Sequence, residues 1–231
     1  MNTLSPRILL LAFGVLCFAD TPAKQLTGFP FQDETLKFNV NWATGVSLGQ
    51  ARMQARRVED ERWEFELTLD GSIPGFTFTD RYHSVATADL CSVEFDRDST
   101  HGKKKSRETV KFNQDRNLAH RVTNGGGSSD FAVPDCAKDA LTFLYFTRRE
   151  MGQGRVPLET TIALGGPYSA RLDYKGEERV KDSTTDRVTT TVRGPSSDVN
   201  FELLFARDPA RTPLLIRAPF PLGVFSLELT R

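Results

Sequence analysis

Several groups of residues have types and spacings that could carry chemistry. Gly45-Val46-Ser47-Leu48-Gly49 fits the pattern G-x-S-x-G, the corner that lifts a serine nucleophile out of a strand-to-helix turn beside an oxyanion hole. The residues that follow, Gln50 to Arg57, alternate polar with small or apolar side chains. Strand–turn–strand is therefore the favoured local reading, and turn formation explains both glycines. Asp96, Asp98 and His101 fall within seven residues of one another and could hold a cation. Their spacing is not that of a calcium loop, and Lys103, Lys104 and Lys105 follow at once and repel a cation, so Asp96 to Gly102 reads as a polar hairpin tip. His83 and His120 have no ligand-like neighbours at metal-site spacing. The glycine-rich run Asn124 to Asp130 lacks the Lys-Ser/Thr of a phosphate-binding loop and reads as a lead-in to a helix. No catalytic, cofactor-binding or metal-binding residue is assigned, and no cofactor is expected.

The cysteines say more, once the compartment is considered. Arg7 followed by the uncharged run Ile8 to Ala19 has the layout of a signal peptide, too short for a transmembrane helix. Small residues at Cys17 and Ala19 place cleavage after Ala19, leaving residues 20–231 as a single β-rich domain. The rival is a lipidated Cys17. Lipoprotein signals want a small residue directly before the cysteine and a leucine three before, whereas here Leu16 is adjacent and Gly14 three back. With Cys17 removed, Cys91 and Cys136 remain as a pair in a compartment that oxidises thiols, and a disulfide between them is expected. A reactive Cys136 is the alternative, because early helical turns depress a thiol pKa.

The elements that must position these residues are mostly strands. Leu36, Phe38, Val40 and Trp42 alternate with Lys37, Asn39 and Asn41, and Trp63, Phe65, Leu67 and Leu69 alternate with Glu64, Glu66 and Thr68. About a dozen such runs are separated by turn signals such as Thr44-Gly45, His101-Gly102 and Lys175-Gly176. One helical segment stands apart, from an N-cap at Asp135 to near Gly152, with Ala137, Leu141, Leu144, Tyr145 and Arg148 on one face. The expected fold is mostly β: a strongly curved antiparallel sheet, open barrel or sandwich, with one main α-helix near residues 135–151 that plugs or flanks it.

Thirty basic side chains balance thirty acidic ones, so no field favours nucleic acid. After the leader no run is apolar for long enough to cross a membrane as a helix, so an integral membrane protein is not expected. Seventeen phenylalanines against four tyrosines and two tryptophans suit a packed core better than a sugar-binding platform.

The order of features, "FPFQDETLKFNVNWATGVSLGQARM", then "VEFDRDSTHGKKKSRETVKFNQD", the "DALTFLYFTRR" helix and a closing "GVFSLELTR", resembles the exported bacterial family known as domain of unknown function 3108. The resemblance runs from about Phe29 to Leu229 and implies an antiparallel β fold in the periplasm or cell envelope. It implies no reaction and no catalytic residues, and it does not demand the Cys91–Cys136 pair. The expected function is non-enzymatic: binding, transport or assembly of an apolar or polymeric envelope component on a concave apolar sheet face. The rivals are a hydrolase using Ser47 or an unrecognised Asp/His group, and a structural assembly partner using an open sheet edge.

Overall fold

Phe38 and Val40 are almost completely buried, whereas Lys37 and Asn39 are exposed. This two-residue alternation drives the chain into strands with one dry and one wet face. The structure, a computed structural model, describes residues 33–42, 44–58, 62–194, 198–220 and 223–230. The expected signal peptide, with Cys17 and the cleavage position after Ala19, lies outside these residues.

Eight strands come first: β1 (Glu34–Trp42), β2 (Ser47–Val58), β3 (Arg62–Ile73), β4 (Phe76–Ala86), β5 (Ser92–His101), β6 (Lys104–Asn113), β7 (Leu118–Thr123) and β8 (Ser128–Ala132). The short strand β9 (Lys138–Asp139) leads into the helix α1 (Ala140–Gly152). The chain continues through β10 (Thr160–Ala163), β11 (Pro167–Val180), β12 (Ser183–Arg193), β13 (Asp198–Ala206), β14 (Pro213–Phe220) and β15 (Gly223–Leu229). All join one sheet in the order β8-β7-β6-β5-β4-β3-β2-β1-β15-β14-β13-β12-β11-β10-β9. Pairing is antiparallel except between β9 and β10. The first and last strands meet in the middle, with Phe38 opposite Leu229 and Trp42 opposite Phe225.

The sheet curls until its β9 end reaches β5, but no ladder closes it. Instead a seam is stitched there. Ser92 N donates to Ala137 O at 2.9 Å, and the Gln114 amide donates to Ser92 O and accepts from Ala137 N. Cys91 and Cys136 are joined in a disulfide across the same seam, with Cα atoms 4.5 Å apart. Strands β6–β8 run on past it, and the β10–β11 turn rests against them. Gly165 lies beside the Glu108 carboxylate, and its φ of +71° is a left-handed conformation that favours glycine. The result is a spiral, an open barrel whose free end overlaps its own wall.

The helix starts later than the sequence indicated. Asp139, not Asp135, is the N-cap. Its buried carboxylate accepts from the backbone of Leu141 and Thr142 and from the hydroxyls of Ser84, Ser92 and Thr142, all within 2.6–3.0 Å. Both aspartates satisfy the cap preference. However, Cys136 has φ +51°, and Lys138–Asp139 are drawn into parallel pairing with β10. Cys136 therefore precedes the helix, which removes the helix-terminus argument for a reactive thiol.

Burial of α1 explains why a single helix suffices. Leu141 and Tyr145 pack with Phe38, Met53 and Phe65 of the first half of the sheet. Phe143 and Met151 pack with Val188, Leu203 and Phe205 of the second half. The Phe65 and Tyr145 rings stack with centroids 4.0 Å apart. Each such buried side chain contributes about 1.5–3 kcal/mol, so the helix works as a wedge holding the two halves of the spiral apart. A third cluster, around Phe95, Val110 and Ala137, fills the overlap at the seam.

Candidate functional site

The wedge does not fill the space inside the spiral. Between α1 and the concave face of the sheet is a cavity of about 310 Å³. Leu141, Phe143, Leu144 and Thr147 of α1 form one wall. Met53, Leu67, Leu69 and Tyr82 come from the first half of the sheet, and Ile162, Val192, Leu203 and Ile216 from the second. The sequence dictates this lining, because every wall residue on a strand belongs to its inward-pointing set. Along β3 the inward residues pass from fully buried Phe65 to half-buried Leu67, Leu69 and Ile73. This side of the sheet is thus fully buried near α1 and increasingly accessible toward the β3–β4 turn.

Among the described residues no charged side chain lines it. The polar side chains in its wall are Tyr82, Thr147 and Thr190, each a hydroxyl. Thr147 Oγ1 is buried and has no hydrogen-bond partner among the described residues. Burial, reinforced by the nearby charge of Asp80 and opposed by Arg97, pushes the Tyr82 phenol up to about 12. Tyr82 therefore stays a neutral hydrogen-bond donor at any physiological pH. At the buried end, Arg148 is wholly buried and clamped by Glu34 through bonds of 2.7 and 2.8 Å, with its Nε donating to the carbonyls of Ala210 and Arg211.

At the cavity's edge sits Arg97, directly opposite Tyr82 in the β4–β5 register. Its guanidinium carbon is 5.9 Å from the Tyr82 ring centroid and its Nε donates to Ser99 Oγ at 3.1 Å. It is exposed and makes no ion pair among the described residues. Arg97 is the residue that sequence reasoning missed. It shares strand parity with Phe95, a cavity-wall residue, and that parity was the available signal.

The family follows from the sequence match. Residues 37–230 match the family described as protein of unknown function, DUF3108. The chain belongs to the DUF3108 family. Its fold is similar to that of the β-barrel-like protein of the domain of unknown function DUF1849 from Brucella abortus, at 8% identity and a TM-score of 0.61. That likeness covers 85% of this chain and 95% of the other, and it concerns the fold alone. None of the curated proteins matches this DUF3108 chain.

The other residues picked out from the sequence do not converge on the cavity of this DUF3108 protein. Ser47 is exposed at the start of β2, with a turn before it and no helix after it. Gly49 is required because β3 presses close: an added Cβ would sit 2.0 Å from Asp70 O. The expected tip at Asp96–Gly102 is in fact most of strand β5, with the turn at Gly102 and Lys103. Alternation then sends Asp96 and Asp98 to one face and His101 to the other, which separates the imagined cation ligands. His101 Nε2 instead meets both Asp80 carboxylate oxygens at 3.0 Å. His120 pairs with Asp130 at the surface, and His83 lies 4.0 Å from Asp96. The run Asn124 to Asp130 spans the β7–β8 hairpin turn and the start of β8, not a lead-in to α1. Among the described residues, no three His, Cys, Asp or Glu side chains are grouped to hold a metal ion, and no helix is long and apolar enough to cross a membrane.

Proposed function

We propose that this DUF3108 protein is an exported, non-enzymatic envelope protein that binds a single aliphatic chain in the cavity beneath α1. The observation that carries this reading is the cavity itself: about 310 Å³ of space walled, among the described residues, by apolar side chains and three hydroxyls, with no charge. Small-molecule pockets of roughly 300–1,000 Å³ share this character. An engineered cavity of ~150 Å³ takes up benzene and stays dry. Twice that volume suits one chain of roughly a dozen carbon atoms by the same scaling. A sugar ring or nucleobase would find only the three hydroxyls of Tyr82, Thr147 and Thr190 on these walls, too few to satisfy its polar atoms. Export is supported by the Arg7 to Ala19 segment and by the Cys91–Cys136 pair, which suits an oxidising compartment.

The test is calorimetric titration of purified, delipidated protein with decan-1-ol. One saturable site with a negative heat-capacity change is expected. Leu203→Trp, which puts an indole into the cavity, should abolish binding while circular dichroism shows the sheet intact. Binding that survives this substitution unchanged would place the chain elsewhere.

A further inference from the structure

One row of the sheet changes character within a few strands. Met53 faces Leu67, Leu67 faces Tyr82, and Tyr82 faces Arg97. The wall thus passes from apolar side chains, through a ring with a hydroxyl, to a guanidinium. Along β5, Arg97 follows two residues after Phe95 on the same face, a step of ~7 Å from the cavity wall. The neighbouring cations are committed elsewhere. Arg121 is paired with Glu108 through bonds of 2.7 and 2.8 Å. His101 is held by Asp80, and Lys138 donates to Cys136 O at 2.8 Å. Arg97, by contrast, makes no ion pair among the described residues: its Nε donates to Ser99 Oγ at 3.1 Å and its guanidinium also bonds the Tyr82 hydroxyl, which leaves N–H groups of the five for a ligand.

We infer that the chain held in the cavity belongs to an anionic amphiphile, whose carboxylate or phosphate headgroup is received by the Arg97 guanidinium with the Tyr82 hydroxyl beside it. This rests on the chain-binding reading above and adds what stands at the chain's outer end. The geometry suits it: the Tyr82 ring belongs to the cavity wall and also lies under the guanidinium, so one ligand can touch both. Because Arg97 is exposed, an oxyanion can meet it while keeping part of its hydration, and a planar guanidinium can grip two oxygens at once. Tyr82, kept protonated by burial, adds a donor. A cationic headgroup would be repelled, and a neutral one would leave the guanidinium unused.

The experiment compares decanoate, decyl phosphate and decan-1-ol, which share one chain, on the wild type, Arg97→Ala and Arg97→Lys. The wild type should hold the anions roughly tenfold more tightly than the alcohol, as one charge-assisted contact allows. Raised salt should narrow that gap without weakening the alcohol. Arg97→Ala should remove the preference and leave decan-1-ol binding unchanged, and Arg97→Lys should restore part of it. A stronger hold on decyl phosphate than on decanoate assigns the headgroup to a phosphorylated lipid, and the reverse order assigns it to a free fatty acid. An anion-to-alcohol ratio that is the same in Arg97→Ala and the wild type overturns the headgroup inference while the chain site stands. Failure of all three compounds to bind the wild type overturns both.

Discussion

Two arginines of this molecule each lie over a tyrosine ring, Arg148 over Tyr145 at 5.0 Å and Arg97 over Tyr82 at 5.9 Å. Their surroundings could hardly differ more. Arg148 is wholly buried, and its side chain is satisfied by both Glu34 oxygens and two backbone carbonyls. It belongs to the buried end of the spiral, where α1 is tied to the start of β1 and to the β13–β14 turn. Arg97 is exposed and free of ion pairing among the described residues, at the edge of a cavity walled by apolar side chains. A buried charge persists only when the fold supplies its partners. An exposed one beside an apolar cavity can wait for a partner from solution. The first arginine is architecture, and the second is the one we propose as the contact for a ligand.

The sharpest way to break this contrast is to exchange the consequences of truncation. Arg148→Ala leaves the Glu34 carboxylate nearly buried without its partner, and stability should fall by ~3–5 kcal/mol, read as the shift in a urea unfolding curve. Arg97→Ala should stay within about 0.5 kcal/mol of the wild type. Equal losses at the two sites would erase the distinction.

Next in size is the seam. Cys136→Ser should cost ~2–4 kcal/mol, less if the reduced chain retains local structure. The disulfide pins the overlap that carries Arg97 rather than the end that carries Arg148. Hydrogen exchange should therefore quicken first at β5–β8 and β9 in the variant, with α1 around Arg148 slower to respond. Thiol labelling of the denatured, non-reduced protein from its native compartment should find neither cysteine free.

Asp139→Ala probes the other end of the helix. It strips the cap and leaves the hydroxyls of Ser84, Ser92 and Thr142 without their acceptor, so a loss of about 2 kcal/mol is expected. Because α1 forms one wall of the cavity, decan-1-ol affinity should fall with it even though no ligand contact is removed.

The smallest effect is a pH dependence. Burial, helped by the charge of Arg149 and opposed by Glu150, holds Lys138 down at about 8 against an ordinary value of 10.5. Between about pH 8 and 10 the unfolded chain then binds more protons at this site than the folded one, so stability should rise with pH across that window. Above about pH 10 the raised Tyr82 works in the opposite direction. Lys138→Met should flatten the rise. A slope unchanged by that substitution would mean the proton comes from another group.

Much of the fold was legible because alternation needs only neighbours. Phe38, Val40, Phe65 and Met53 all point inward as their parity demands. Where two local signals were equally good, tertiary contacts decided: Asp135 and Asp139 are both fair caps, and pairing with β10 chose the second. The spiral itself was illegible, since its seam depends on Gln114, Ser92 and Ala137 meeting across the sheet. The site was harder still. Its apolar residues look like ordinary core, and a cavity is defined by what α1 fails to fill. Arg97 was hidden inside "DRDSTHG", read as a hairpin tip, because a charged stretch carries no hydrophobic period to mark it as a strand.

The central claim is that an aliphatic chain occupies the space beneath α1. Methyl NMR of selectively labelled protein titrated with decan-1-ol tests it most directly. Shifts should concentrate at Leu67, Leu69, Leu144, Ile162, Leu203 and Ile216, which line the cavity, and should spare the exposed Leu118 and Leu158. Saturating shifts at Leu118 or Leu158 with the cavity methyls unmoved would contradict the account.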